Sequence, residues 1–256
     1  VLAVPCQQLR GWLAANAANF CTNAILVNAA KGIETANLVT CAEIAQQSLG
    51  HLQPRYAVLS GPSFAADVLR GLPTAVVLAS ADETLGHGLR QIFSSASFRC
   101  YSSTDVMGVE MGGAVKNVMA IAAGVCDGLG LGHNSRAALI TRGLAEMSRL
   151  GVARGAQPHT FMGLSGLGDL TLTCTGDLSR NRQVGLRLGR GEKLDQITAS
   201  LGMVAEGVKT TAAIYDLAKC LHVDAPLTEA VHSILYGNCD PQAVLHNLMS
   251  RRLRDE

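Results

Sequence analysis

The run Val109–Gly124 sets one lysine, Lys116, among small and apolar residues, and proton chemistry is most easily placed there. Apolar surroundings disfavour an ammonium relative to the neutral amine, so the pKa falls toward the range of a useful base. Gly112 and Gly113 precede it by four and three positions, on the helical turn beside it. Each glycine inside a helix costs about 1 kcal/mol relative to alanine. The expected return is room for a ligand close to the backbone. The competing reading is a lysine at the end of a buried helix, with a covered stem and a head in water.

Four further places could serve that lysine. Lys31 follows an apolar strand and precedes Gly32, and open α/β sheets bind ligands at the carboxyl ends of their strands. A cation there suits a phosphate or carboxylate, although a solvated loop lysine fits the same position. Gly61-Pro62-Ser63-Phe64-Ala65 also follows a strand; its free backbone N–H groups and the Ser63 hydroxyl make an anion-friendly turn of a common composition. Asp169 follows Gly166 and Gly168 in an apolar setting. It could orient a substrate hydroxyl, hold the Lys116 ammonium, or simply cap a helix. Ser179-Arg180-Asn181-Arg182 opens a helix with a serine cap and guanidinium groups, which reads either as a phosphate cradle or as a solvated basic face. Jointly these describe two cationic anion holders, a base-like lysine and a carboxylate, which fits proton transfer on a small phosphorylated alcohol or ketone. The seven histidines are scattered and read as structural; Met147, Met162 and Met203 read as core filler.

The elements that must position these residues change character near Thr104. Before it, apolar strands over residues 1–4, 24–28, 55–60, 74–79 and 98–101 alternate with helices over 7–18, 35–49, 64–70 and 81–94. That alternation predicts crossover connections and a largely parallel sheet covered on both faces. After it come helices over 104–126, 135–154, 158–162, 180–190, 195–201, 208–221, 229–236 and 241–254, the last with Asp240 as N-cap and Pro241 in its first turn. The expected fold class is α/β: a partial Rossmann domain with a parallel sheet over residues 1–104, then an all-helical domain over 105–256. Lys116 lies on the first helix after the join, and clefts between such units favour ligands.

Composition narrows the class. Hydrophobic residues make up 48% and aromatic ones 4%, so the core must be built from Ala, Val, Leu and Ile. A formal net charge of +1 points to neither nucleic acid nor an acidic membrane surface. Eight cysteines without a C-x-x-C pair or a histidine at ligand spacing read as free thiols in a reducing compartment, with no metal site expected. No uninterrupted apolar run or signal peptide suggests membrane insertion or export, so a cytoplasmic protein is expected.

The order of motifs resembles a known family. KGIE at 31–34, SGPSFA at 60–65, GGAVKNV at 112–118, TRGLAEMSRLG at 141–151, GLGDL at 166–170, SRNR at 179–182 and VAEG at 204–207 are similar to the bacterial-type NAD(P)-dependent glycerol-3-phosphate dehydrogenases. Each motif is weak alone; seven in one order are specific. The resemblance implies interconversion of sn-glycerol 3-phosphate and dihydroxyacetone phosphate with NAD or NADP, for glycerophospholipid synthesis, by a homodimer. It implies Lys116 as the general acid/base, with Asn117, Asp169 and Thr173 holding substrate and lysine. Lys31, Gly61, Ser63, Ser179, Arg180 and Asn181 would bind the phosphorylated substrate, and Ala65, Arg180, Val204 and Glu206 would touch the cofactor. One departure stands out: the G-x-G-x-x-G loop that holds the pyrophosphate in this family is not in the sequence. The chain as written is therefore expected to bind the dinucleotide poorly, and the natural protein to carry that half. Two alternatives remain. A β-hydroxyacid dehydrogenase usually has an asparagine four residues after the lysine, where this chain has Ala120. A non-catalytic remnant would bind phosphate ligands without turnover.

Overall fold

The computed structural model describes residues 1–201 and 205–252. Val204 and Met203 lie outside the described residues, as does the predicted end of the last helix at residues 253–254. The first part of the chain runs α1 (Cys6–Ala15), β1 (Ile25–Asn28), α2 (Cys41–Leu49), β2 (Arg55–Ser60), α3 (Ala65–Leu69), β3 (Thr74–Ala79), α4 (Glu83–Phe93) and β4 (Phe98–Ser103). The second part is helical: α5 (Val106–Gly128), α6 (Gly132–Ala153), α7 (Asp169–Thr175), α8 (Arg180–Gly189), α9 (Leu194–Leu201), α10 (Glu206–Cys220), α11 (Pro226–Tyr236) and α12 (Pro241–Met249). The predicted helix over residues 158–162 is a 3-10 turn.

The sheet has the order β1-β2-β3-β4 and is mixed. β1 pairs parallel with β2 and β3 with β4, but β2 and β3 run antiparallel, which corrects the parallel-sheet expectation at its centre. The antiparallel pair is joined through the five-residue α3, whereas the two parallel pairs are joined through the nine-residue α2 and the eleven-residue α4. The expected first strand reduces to one parallel bridge, Leu2 to Asn28, because Pro5 already caps α1. The edge strand β4 buries only Cys100, so the two-sided cover expected for every strand fails there. The helix predicted from residue 35 starts at Cys41, where Thr40 and Glu43 form a reciprocal capping box. All eight cysteines are free thiols. Met147 is fully buried, as core filler should be, whereas Met162 is 65% exposed.

α5 is the axis of the second part. It is long and apolar enough to cross a membrane, but 94% of its apolar window is buried inside the protein. The largest core cluster forms along it, with α6, α7, α8, α10 and α11 supplying the other walls. Glu110 near its start fastens it to the sheet layer. The Ala42 N–H at the start of α2 donates to both Glu110 oxygens at 3.1 and 3.2 Å, and the Tyr56 hydroxyl of β2 donates at 2.6 Å. Burial pushes that carboxyl above the ordinary range while these donors oppose it. On its far side α5 meets α8 almost backbone to backbone. A Cβ on Gly185 would sit 1.9 Å from the Ile121 carbonyl oxygen, and one on Gly124 would sit 2.0 Å from that of Arg182.

Those contacts set a test of packing. Gly185→Ala is expected to destabilise the fold by roughly 1–3 kcal/mol, the usual cost of overpacking. Gly88→Ala in α4, where a new methyl meets nothing within 4 Å, should stabilise it by about 0.4–1 kcal/mol. Denaturant unfolding of both variants checks the pair; equal effects would show that the α5–α8 contact is not tight.

Candidate active site

Lys116 sits in the middle of α5 and is 7% exposed, so it does not reach out to water from a helix end. Its Nζ donates to Asp169 Oδ1 at 2.5 Å and to Thr173 Oγ1 at 3.1 Å. Asp169 is the first residue of α7, not its cap, and Thr173 follows one turn later, so both face α5. A π-helical turn over Leu164–Gly168 aims that helix; no sequence signal announced it. The glycine before Lys116 admits this turn, because a Cβ on Gly112 would lie 2.5 Å from the Ser165 carbonyl oxygen. Gly112 and Gly113 therefore make room for protein, with Gly113 lying against the Lys31 stem and Ser60, rather than for a ligand as expected.

Lys31 is not a solvated loop lysine. Its Nζ donates to Asp169 Oδ2 at 2.7 Å, so one carboxylate is shared between two ammonium groups. Burial, then the neighbouring charge of Lys31, bring Lys116 down to about 7, against the pull of Asp169. Burial alone would push Asp169 up, but Lys31 and Lys116 hold it below the ordinary carboxylate range. The site thus contains an amine that is easily deprotonated and a carboxylate that stays charged.

A second set of residues lies alongside. Asn181 Nδ2 donates to Asn117 Oδ1 at 3.0 Å, and Asn181 Oδ1 accepts the Gly207 N–H at 3.0 Å, which links α5, α8 and the start of α10. Ser179 caps α8 by accepting the Arg182 N–H at 3.2 Å. Arg180 is exposed, and its charge, with those of Lys31 and Lys116, draws Glu206 down against burial, which leaves that carboxyl above its ordinary range. Those four charged groups therefore face one region.

The Gly61-Pro62 turn lies nearby, its Pro62 Cδ 3.7 Å from where Gly168 would carry a Cβ. Gly61 has φ +144° because Val76 of β3 crosses it closely. The Ser63 hydroxyl donates to the Gly61 carbonyl at 3.1 Å, and Ala65 opens α3 in an exposed position. Among the described residues, no hydrogen bond joins these last two to the lysines. Arg182, by contrast, leaves the expected cradle and turns toward Asp127 and Asp177. Sequence reasoning passed over Ser60, whose buried hydroxyl has no hydrogen-bond partner beside the Lys31 stem. Its position at the carboxyl end of β2 was the available signal.

The family description NAD-dependent glycerol-3-phosphate dehydrogenase N-terminus matches residues 1–86, and its C-terminus counterpart matches residues 105–246. This chain belongs to the NAD-dependent glycerol-3-phosphate dehydrogenase family. A glycerol-3-phosphate dehydrogenase [NAD(P)+] of Desulfovibrio desulfuricans is 77% identical over the whole chain, which spans 77% of that relative. One from Nitratidesulfovibrio vulgaris is 61% identical over 99% of the chain and 77% of its own length. The crystal structure of glycerol-3-phosphate dehydrogenase from Coxiella burnetii superposes with TM-score 0.93 at 40% identity, covering 97% of this chain and 75% of that one.

The shared carboxylate yields a titration test. Lys31→Met removes a charge that lowers Lys116, so the amine should titrate at higher pH, read by NMR of labelled lysine side chains. The sign for stability follows from proton counts. Between about 7 and the ordinary value of 10.5 the unfolded chain holds a proton on Lys116 that the folded chain lacks. Stability from this group therefore rises with pH across that window, and Lys31→Met should flatten the rise. An unmoved Lys116 titration would refute the coupling.

Proposed function

We propose that this chain interconverts sn-glycerol 3-phosphate and dihydroxyacetone phosphate, with Lys116 as the group that takes and returns the C2 hydroxyl proton. The observation that carries the reading is the buried Lys116–Asp169 contact at 2.5 Å, with Lys31 on the other carboxylate oxygen at 2.7 Å. In the oxidation direction the neutral amine removes the hydroxyl proton. In reduction the ammonium returns it to the forming alkoxide. Asp169 and Thr173 hold the amine on its line of approach, and Asn117 is braced by Asn181 at the same level of the helix. Lys31, Ser179, Arg180 and Asn181, with the Gly61–Ser63 turn, would take the phosphorylated substrate. Anchoring a remote phosphate supplies orientation that the reacting carbon cannot supply itself.

The NAD(P) nicotinamide, when bound, accepts or supplies the hydride. The residues present fit that end of the cofactor: the Glu206 carboxyl could accept hydrogen bonds and Arg180 could offer a guanidinium, with Glu206 within electrostatic reach of Arg180 and of both lysines. Ala65 would border it. Residues 1–104 act in this reading as part of the dinucleotide-binding domain, and residues 105–256 as the substrate and catalytic domain. Family membership supports the remaining parts: a cytoplasmic homodimer that feeds glycerophospholipid synthesis.

The test is NADH oxidation by the full-length protein with dihydroxyacetone phosphate. Lys116→Ala should lose about 100- to 10,000-fold in rate, the typical worth of one proton-transfer group. Oxidation of glycerol 3-phosphate should speed up as pH rises through about 7, and reduction should slow over the same range. Full activity in Lys116→Ala would remove the amine from the reaction. Turnover of hydroxyisobutyrate but not of dihydroxyacetone phosphate would favour a β-hydroxyacid dehydrogenase instead.

A further inference from the structure

Arg182 is a buried charge that the reaction as derived does not use. It is the third residue of α8, directly after the proposed anion-binding residues Ser179, Arg180 and Asn181, and it is only 9% exposed. Its Nε donates to Asp127 Oδ2 at 2.9 Å, a second guanidinium nitrogen lies 2.7 Å from the same oxygen, and the third donates to Asp177 Oδ1 at 2.9 Å. Asp127 is on the last turn of α5, where Arg136 donates to its other oxygen at 2.9 Å. A guanidinium held in this forked way has little freedom.

Two features give that strut a functional direction. Asp127 and Lys116 are eleven residues apart on one helix, which is close to three full turns and about 16 Å, so they project from the same side of α5. α8 also runs parallel to α5, with Asn181 against Asn117, Gly185 against Ile121 and Gly189 against Val125. The glycine contacts set how closely the helices approach, but a smooth glycine face does little to stop one helix sliding along the other. The segment just before α8 gives scant help, since Leu178 is 56% exposed and the Asp177 side chain 91% exposed. Of the fixed points, the Arg182–Asp127 pair is the one that is charged, forked and buried.

We infer that Arg182, anchored on Asp127, is the positioning residue that sets where the phosphate-binding start of α8 lies relative to the Lys116 amine. This rests on the proposed function and adds to it a residue that touches neither substrate nor cofactor. Its loss should let α8 shift, and a displacement of about 1 Å can cost on the order of 100-fold in rate. The loss should fall on substrates that use the phosphate and spare those that lack it.

The experiment compares dihydroxyacetone phosphate with unphosphorylated dihydroxyacetone in the full-length protein, for the wild type and for Arg182→Met, Arg182→Lys and Asp127→Asn. In Arg182→Met the kcat/KM for dihydroxyacetone phosphate should fall about 10- to 100-fold, largely through KM, while that for dihydroxyacetone holds to within about twofold and the pH midpoint of kcat is unmoved. Arg182→Lys, which keeps the charge but not the fork, should fall in between. If Arg182→Met does not fold, Asp127→Asn, which keeps the shape of its side chain, carries the same expectation. Equal losses on both substrates would show a merely structural role and overturn the inference, as would no loss on either. Wild-type protein that turns over neither substrate would instead refute the proposed function.

Discussion

A single carboxylate shared between two ammonium groups organises this molecule. Asp169 is 1% exposed, and a lone carboxylate at such depth is costly unless it is paired. Lys116 and Lys31 each take one oxygen, so the buried carboxylate is paired on both sides. The pairing is unequal by construction. Burial first, and the Lys31 charge second, weaken the hold of Lys116 on its proton, because one carboxylate cannot fully offset two ammonium groups. Structure and chemistry meet in that imbalance, because the arrangement that keeps Asp169 ionised also prepares Lys116 to give its proton up.

The same carboxylate joins two parts of the fold. Lys31 follows β1, Lys116 lies on α5 and Asp169 opens α7, so the triad closes only when the sheet layer and the helices are docked. Glu110 reinforces that docking from the other end of α5, where it receives the start of α2 and the Tyr56 hydroxyl. α5 works as a graduated rod. Glu110 ties it to the sheet, Lys116 and Asn117 face the site, and Asp127 holds the guanidinium of α8. A helix serves this purpose because its backbone hydrogen bonds are internal, so its length is set whatever surrounds it.

Charge balance in the pocket suits its proposed occupant. Lys31, Lys116 and Arg180 face Asp169 and Glu206, which leaves an excess of positive charge in a partly buried space. A phosphate ester brings the compensating negative charge, and electrostatic attraction is strong where water is scarce. Glu206 is raised by burial despite three nearby cations.

Local preferences were legible along the chain. β2 and β3 begin and end at the residues that their apolar runs mark, and Asp240 with Pro241 starts α12 where capping chemistry requires. The order of seven motifs identified the family, and the scarcity of lysine drew attention to Lys116 and Lys31. Tertiary structure alone decided the rest. The antiparallel centre of the sheet is not marked by the apolar runs, and the turn that aims Asp169 packs against Gly112. Lys31 and Asp169 are separated by 138 residues, and Lys116 and Asp169 by 53. Turn and capping preferences act over a few neighbouring positions, whereas the meeting of distant charges is set by how helices and sheet pack. That is why Lys31 read by position rather better as a solvated loop residue, and why Arg182 looked like part of an anion cradle until the fold turned it toward Asp127.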